Sequence, residues 1–354
     1  MRKKVYIRSA GIISPQDSFG EKKEYANIRE YDGDRMSCIE PDYKNILDPK
    51  LIRRMSRIIR MGAASAMECI AQGENTQPDA IITGTAYGCL EDTVNFLDKM
   101  VANKEELLTP TAFIQSTHNT VAAQIALLLK SHKYNNTFVH RGFSFEHALI
   151  DALLLMNEGE AANVLVGAVD EITDTSHTIL SRFGLYRMHG KNTTLLESRS
   201  KGTMSGEGAA FFLLSPDKND ESLAAMDDIS TLYDPLGKHD TRVWINQFLE
   251  KQKISWSDLD FVLTGKNGDH KHDLAYSDLE LNIGKQCRFL NFKNLCGEYP
   301  TAASFGFWMA AKSLKDRLVP FCPASEQPVI SKGRILLYNR DLSGHHSLIL
   351  FSAC

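Results

Sequence analysis

The chain of 354 residues is 43% hydrophobic and 24% charged, which is ample for a large globular core in one domain or two and rules out a disordered chain. A formal net charge of −4 offers no general excess of positive charge to hold a polyphosphate backbone, so nucleic acid is set aside as the main partner. Seven scattered cysteines, odd in number and without a CxxC pair, exclude a complete disulfide framework and fit a reducing cytoplasm.

Met1-Arg2-Lys3-Lys4 has the charge of a signal-peptide head, but the apolar run behind it is broken by Arg8 and enters Ser14-Pro15 without a small-residue cleavage site. Residues 5–10 therefore read as the first strand. Further strands are predicted over 80–83, 137–140 and 163–169, with helix-length periodic segments between them, the alternation of an α/β fold. Residues 145–157 (FEHALIDALLLMN) are apolar almost all round, which predicts a helix enclosed in the core with its N-terminal dipole pointing inward. After an apolar strand over 211–215, the polar stretch 216–222 is the best boundary in the chain and divides it into 1–222 and 223–354. Strands over 229–232, 261–263, 335–338 and 348–351 and helices over 241–252 and 302–314 then repeat the alternation, so a pseudo-duplicated α/β fold is expected. No apolar run approaches the roughly 20 residues that a bilayer requires, and no membrane insertion is expected.

Several motifs occur in a definite order. Val5-Tyr6-Ile7-Arg8-Ser9-Ala10-Gly11-Ile12-Ile13-Ser14-Pro15 opens the chain, Arg54-Met55-Ser56-Arg57 follows, and then come Gly84 to Leu90 and Phe113-Ile114-Gln115-Ser116-Thr117-His118-Asn119. The buried helix ends in Asn157-Glu158-Gly159 before Val164 to Glu171, and Ser205-Gly206-Glu207-Gly208-Ala209-Ala210 leads into an apolar strand. In this order the chain resembles the ketosynthases, condensing enzymes of the thiolase-like fold, over nearly its whole length; the last motif is similar to the family's G-E-G-A turn. The resemblance implies two α/β halves in a five-layered α-β-α-β-α arrangement, a decarboxylative condensation on acyl carrier protein, and no cofactor.

The same resemblance exposes what is missing. A ketosynthase places its cysteine at the start of the buried helix, where the dipole lowers the thiol pKa; counting back from Gly159, that position is Gly142, and no cysteine lies within forty residues of it. The two histidines that stabilise the enolate fall on Thr264, in Val262-Leu263-Thr264-Gly265, and on Glu298, in Lys293-Asn294-Leu295-Cys296-Gly297-Glu298. Lys293 is retained, and the family pattern implies that it supports the fold by pairing with Glu207. The glycine-rich loop near the C-terminus is shortened to Asn339-Arg340-Asp341-Leu342-Ser343-Gly344-His345-His346.

Ser144 with His147 offers a serine and a possible base, but no G-x-S-x-G elbow surrounds it, and a helix N-cap and a core histidine are the better readings. Asp269-His270-Lys271-His272-Asp273 and His345-His346 read as solvated polar loops in preference to metal ligands, so no metal site is expected. The pattern resembles the degenerate members of the family, the chain-length factors. It implies a subunit silent in condensation, paired with an active ketosynthase paralogue or with itself, that acts with acyl carrier protein, with Phe113 and Thr93 at the far end of the acyl channel. The alternatives are a non-covalent acyl-transfer or decarboxylating enzyme using Lys293, Glu298 and Thr264, and an acyl-chain binding module.

Overall fold

The structure is a computed structural model that describes residues 4–20, 25 and 27–354; the charged start Met1-Arg2-Lys3 lies outside the described residues. Ten strands form one mixed sheet: β1 (Val5–Ile13), β2 (Ala80–Gly84), β3 (Tyr134–Phe138), β4 (Val164–Asp170), β5 (Gly208–Ser215), β6 (Ala224–Tyr233), β7 (Phe261–Thr264), β8 (Arg288–Asn291), β9 (Arg334–Arg340) and β10 (His345–Ser352). Their order is β8-β7-β9-β10-β6-β1-β5-β4-β2-β3. Numbered from the first strand of each run of five, both runs follow 3-2-4-5-1, so the repeated alternation in the sequence is a repeated topology. They join where β1 meets β6, antiparallel over Val5↔Met226, Tyr6↔Ala225 and Ile7↔Ala224.

The helices longer than four residues are α1 (Arg57–Gln72), α2 (Leu90–Ala102), α3 (Pro110–Gln115), α4 (Thr120–Leu129), α5 (Ser144–Glu158), α6 (Asp174–Arg182), α7 (Thr241–Lys251), α8 (His270–Ile283) and α9 (Ala303–Asp316). Strand residues point alternately to opposite faces, and here both faces are apolar because both are covered. In β5, Ala210, Phe212 and Leu214 join a central core while Ala209, Phe211 and Leu213 join an outer one under α1 and α4. In β10, Ile349 and Phe351 face the same central core, and Leu348 and Leu350 face a third core under α7 and α8. The central core is filled by α5 and α9, which gives five layers: helices, strands, helices, strands, helices.

Helix α5 is buried along most of its surface, as its composition requires, and Leu154 breaks through on one side. It stops at Gly159, whose φ of 77° supplies the left-handed residue that closes the helix. Strand β3 begins at Tyr134, three residues before the predicted start at 137, and ends at Phe138. Its polar Tyr134-Asn135-Asn136 is tolerated because the strand is the sheet's edge, paired only with β2. Two polar loops are corrected. Asp269 caps α8, accepting from Lys271 N and His272 N, and His272 is buried in its first turn. His345 and His346 open β10, buried, in a tight hairpin with β9. Among the described residues no helix is long and apolar enough to cross a membrane, and the seven cysteines are free.

Candidate functional site

Parallel strands deliver their following loops to one side. β2, β3 and β4 run parallel in the first half, and β7, β8 and β9 run parallel in the second, with Thr264 level with Asn291 and Tyr338. The segments beyond their C-terminal ends meet between the halves. Asp170 at the end of β4 makes one such junction: its carboxylate accepts from Thr85 Oγ1, from Ala86 N and, across the halves, from Thr301 Oγ1 at 2.8 Å.

Gly142 lies there, buried in a 3-10 turn directly before α5. The turn is entered through Arg141 in a left-handed conformation, φ 47°, which costs a residue with a Cβ a small strain. Opposite Gly142 stands Asp341, from the hairpin between β9 and β10. A Cβ at residue 142 would lie 2.3 Å from Asp341 Oδ2 and 2.5 Å from its Cγ. The carboxylate is held in place: Oδ1 accepts from Ser343 N and His345 N, both at 2.9 Å, and His345 Nδ1 lies 3.1 Å from each oxygen. Burial alone would raise the pKa of Asp341, but the hydrogen bond and charge of His345 win and hold it below the ordinary carboxylate value.

The second cluster is an ion pair. Lys293 Nζ donates to Glu298 Oε1 at 2.9 Å and Oε2 at 2.8 Å and to the Arg340 carbonyl at 2.8 Å, while Asn267 Nδ2 donates to Glu298 Oε2 at 2.7 Å. Lys293 is 1% and Glu298 2% exposed, so each charge depends on the other. Thr264 is buried nearby but turns away, its hydroxyl donating to Asn291 Oδ1 at 2.6 Å. The residue whose side-chain direction meets this cluster is the next one, Gly265: a Cβ there would lie 2.5 Å from Asn339 Oδ1, 2.9 Å from Tyr276 Oη and 3.2 Å from Lys293 Cε. Between the two clusters a cavity of about 60 Å³, lined by Tyr87, Arg141, Tyr186, Glu298, Asp341 and neighbours, is far below the roughly 300–1,000 Å³ of ordinary ligand pockets.

Glu207 does not pair with Lys293. Its carboxylate takes both terminal nitrogens of Arg57 and also accepts from Cys38 N at 2.8 Å and Ile172 N at 2.9 Å. The glycine before it has a steric reason, since a Cβ at Gly206 would lie 2.0 Å from the Cys296 carbonyl oxygen. Ser144 is the first residue of α5 and not its N-cap; its hydroxyl sits 2.9 Å from the Thr85 carbonyl and 2.8 Å from that of Arg141 and accepts from His140 N. His147 is half-buried and meets His140, Nδ1 to Nδ1 at 3.1 Å. The residue before it, Glu146, is fully buried, bonded to Ser347 Oγ at 2.7 Å, and burial pushes its pKa up to about 7. Among the described residues no group of three or more histidines, cysteines or carboxylates is arranged to hold a metal ion.

Phe113 lies on α3, 58% exposed, its ring 5.7 Å from that of Phe96. The Thr93 hydroxyl donates to the Cys89 and Ser116 carbonyls. Sequence reading missed Asp341, Asn267 and Gly265 as members of the site. Asp341 was legible only as a member of the shortened loop; the fold alone sets it against a residue 199 positions earlier.

Residues 36–185 match the family model for the beta-ketoacyl synthase N-terminal domain. A search of curated proteins finds no match. Among solved structures, the ishigamide ketosynthase/chain length factor superposes with a TM-score of 0.80 at 15% identity, over 100% of this chain and 100% of that chain. A ketosynthase (ApeO) in complex with its chain length factor (ApeC) from Xenorhabdus doucetiae gives 0.75 at 15% identity, over 99% and 98%. AntDE:AntF, a type II PKS acyl-carrier protein in complex with its ketosynthase bound to the hexaketide, gives 0.70 at 15% identity, over 100% of each. At these identities the likeness to the solved structures is one of fold, and the fold is the thiolase-like fold of ketosynthases.

Proposed function

For a ketosynthase-like chain of this fold, we propose the role of a partner subunit, silent in condensation, that pairs with an active ketosynthase in the cytoplasm and helps set the length of the acyl chain carried by acyl carrier protein. The observation that carries the reading is the residue at the head of the buried helix: Gly142 has no atom to acylate, and a carboxylate stands where its side chain would project. The rest of the reaction is undermined in the same way. A developing enolate needs hydrogen-bond donors and positive potential, but the positions expected to hold histidines present Thr264, followed by Gly265, and Glu298, an anion whose lysine partner is already engaged. Lys293 and Glu207 are then structural residues, each satisfied inside an ion pair.

Two things support a pairing role. The relatives in fold include a ketosynthase in complex with its chain length factor and another in complex with its acyl-carrier protein. The chain also leaves Leu97, Val101, Leu107, Phe113 and Ile114 exposed on and between α2 and α3, an apolar surface of the kind that marks subunit contact. In this reading Phe113 reaches the end of the partner's acyl channel, with Thr93 beside it, where a ring stops further methylenes at a loss of about 0.8 kcal/mol of burial each. Co-expression with an intact ketosynthase encoded beside this chain, followed by native mass spectrometry, tests the proposal. A one-to-one complex is expected, with acyl groups on the partner alone. An acyl adduct on this chain, or its failure to associate with any such ketosynthase, would overturn it.

A further inference from the structure

Glycine at position 142 is not demanded by the backbone, because its φ lies outside the left-handed region where glycine is favoured. What excludes a side chain is Asp341, whose Oδ2, Cγ and Cβ would lie 2.3, 2.5 and 2.9 Å from a Cβ there. The obstruction cannot swing aside cheaply, since the carboxylate is fixed by two backbone N–H groups and the His345 ring. The shortened hairpin that carries it is also what brings His345 within reach.

We infer that Asp341 is an internal plug coupled to Gly142: the pair, and not the glycine alone, closes the head of α5 against any nucleophile or thioester. The inference concerns this chain's own packing and holds whether or not the chain pairs with a ketosynthase. It explains why the cavity between the halves is only about 60 Å³, with Asp341, Leu342 and Ser343 forming one wall. It also means that restoring the cysteine is not enough. A thiol introduced at 142 would be forced against a carboxylate, which displaces it and raises its pKa, and each unit of elevation leaves about tenfold less thiolate.

The experiment uses the full chain and the epoxide cerulenin, with the modified residue mapped by peptide mass so that the native cysteines are read separately. In the reaction a thiolate attacks an epoxide carbon, the C–S bond forms as the C–O bond breaks, and the alkoxide takes a proton from water. Gly142→Cys alone should stay unmodified at 142, as should Gly142→Cys with Asp341→Asn, which keeps the bulk and removes the charge. Gly142→Cys with Asp341→Gly should react, at least tenfold faster than either. A companion thermal-denaturation cycle needs no reactivity: Gly142→Ala should lower Tm by several degrees with Asp341 present and by little with Asp341→Gly, which also removes the Cβ at 2.9 Å. Equal labelling of Gly142→Cys and of Gly142→Cys with Asp341→Gly, no labelling of the latter when it is shown to be folded, or equal Tm losses in both backgrounds would each overturn the plug.

Discussion

Glu146 makes stability depend on pH in a direction that can be worked out. It is fully buried in the first turns of α5; Oε1 accepts from Ser347 Oγ, and burial raises its pKa from the ordinary 4.5 to about 7. The native state therefore keeps its proton up to about pH 7, while the unfolded chain releases it near 4.5. The stability tied to this proton is complete below 4.5, is lost as pH rises through the interval, and is gone above 7. A shift of this size corresponds to roughly 3 kcal/mol at about 1.4 kcal/mol per unit. Glu146→Gln keeps the size and the acceptor for Ser347 but cannot ionise. Denaturant melts of both proteins from pH 4 to 9 should give curves that meet near pH 4 and diverge, the variant becoming more stable by up to that amount above pH 7. A difference that stays flat across the range would refute the reasoning, because other titrating groups are common to both proteins and cancel.

Removing one member of the buried pair should be costly, with Lys293→Met expected to lose about 3–5 kcal/mol in urea unfolding because Glu298 is left charged and uncompensated. Lys293→Met combined with Glu298→Leu should recover much of that loss, and a double variant as unstable as the single one would count against the pair as a closed unit. Gly206→Ala, which drives a Cβ into the Cys296 carbonyl, should destabilise by about 1–3 kcal/mol or more, read as a fall in Tm. Phe113→Ala should leave the stability of the free chain nearly unchanged, since the ring is largely exposed, and should lengthen the products of the paired ketosynthase without slowing the first condensation. Products of unaltered length from a variant that still pairs would leave a purely stabilising partner.

The α/β alternation, its repetition and the enclosed helix were legible in the sequence, because hydrophobic periodicity is local and these segments are buried on most sides. The polar edge strand Tyr134–Phe138 starts three residues before the sequence predicts, and the start of α8 has the composition of a loop. In both, tertiary partners override local propensity: β2 supplies the ladder for a strand rich in asparagine, and the cap by Asp269 turns a charged run into a helix. The chemistry divides along the same line. That residue 142 lacks a side chain and that no cysteine stands near it is a property of the sequence alone. Which residue stands against position 142 was decided only by the fold, because Asp341 and Gly142 meet through the packing of segments far apart in the chain. The partners of Lys293 and Glu207 were likewise a matter of geometry: a buried charge takes the nearest opposite charge that desolvation leaves, and here the loops offered Glu298 to Lys293 and Arg57 to Glu207.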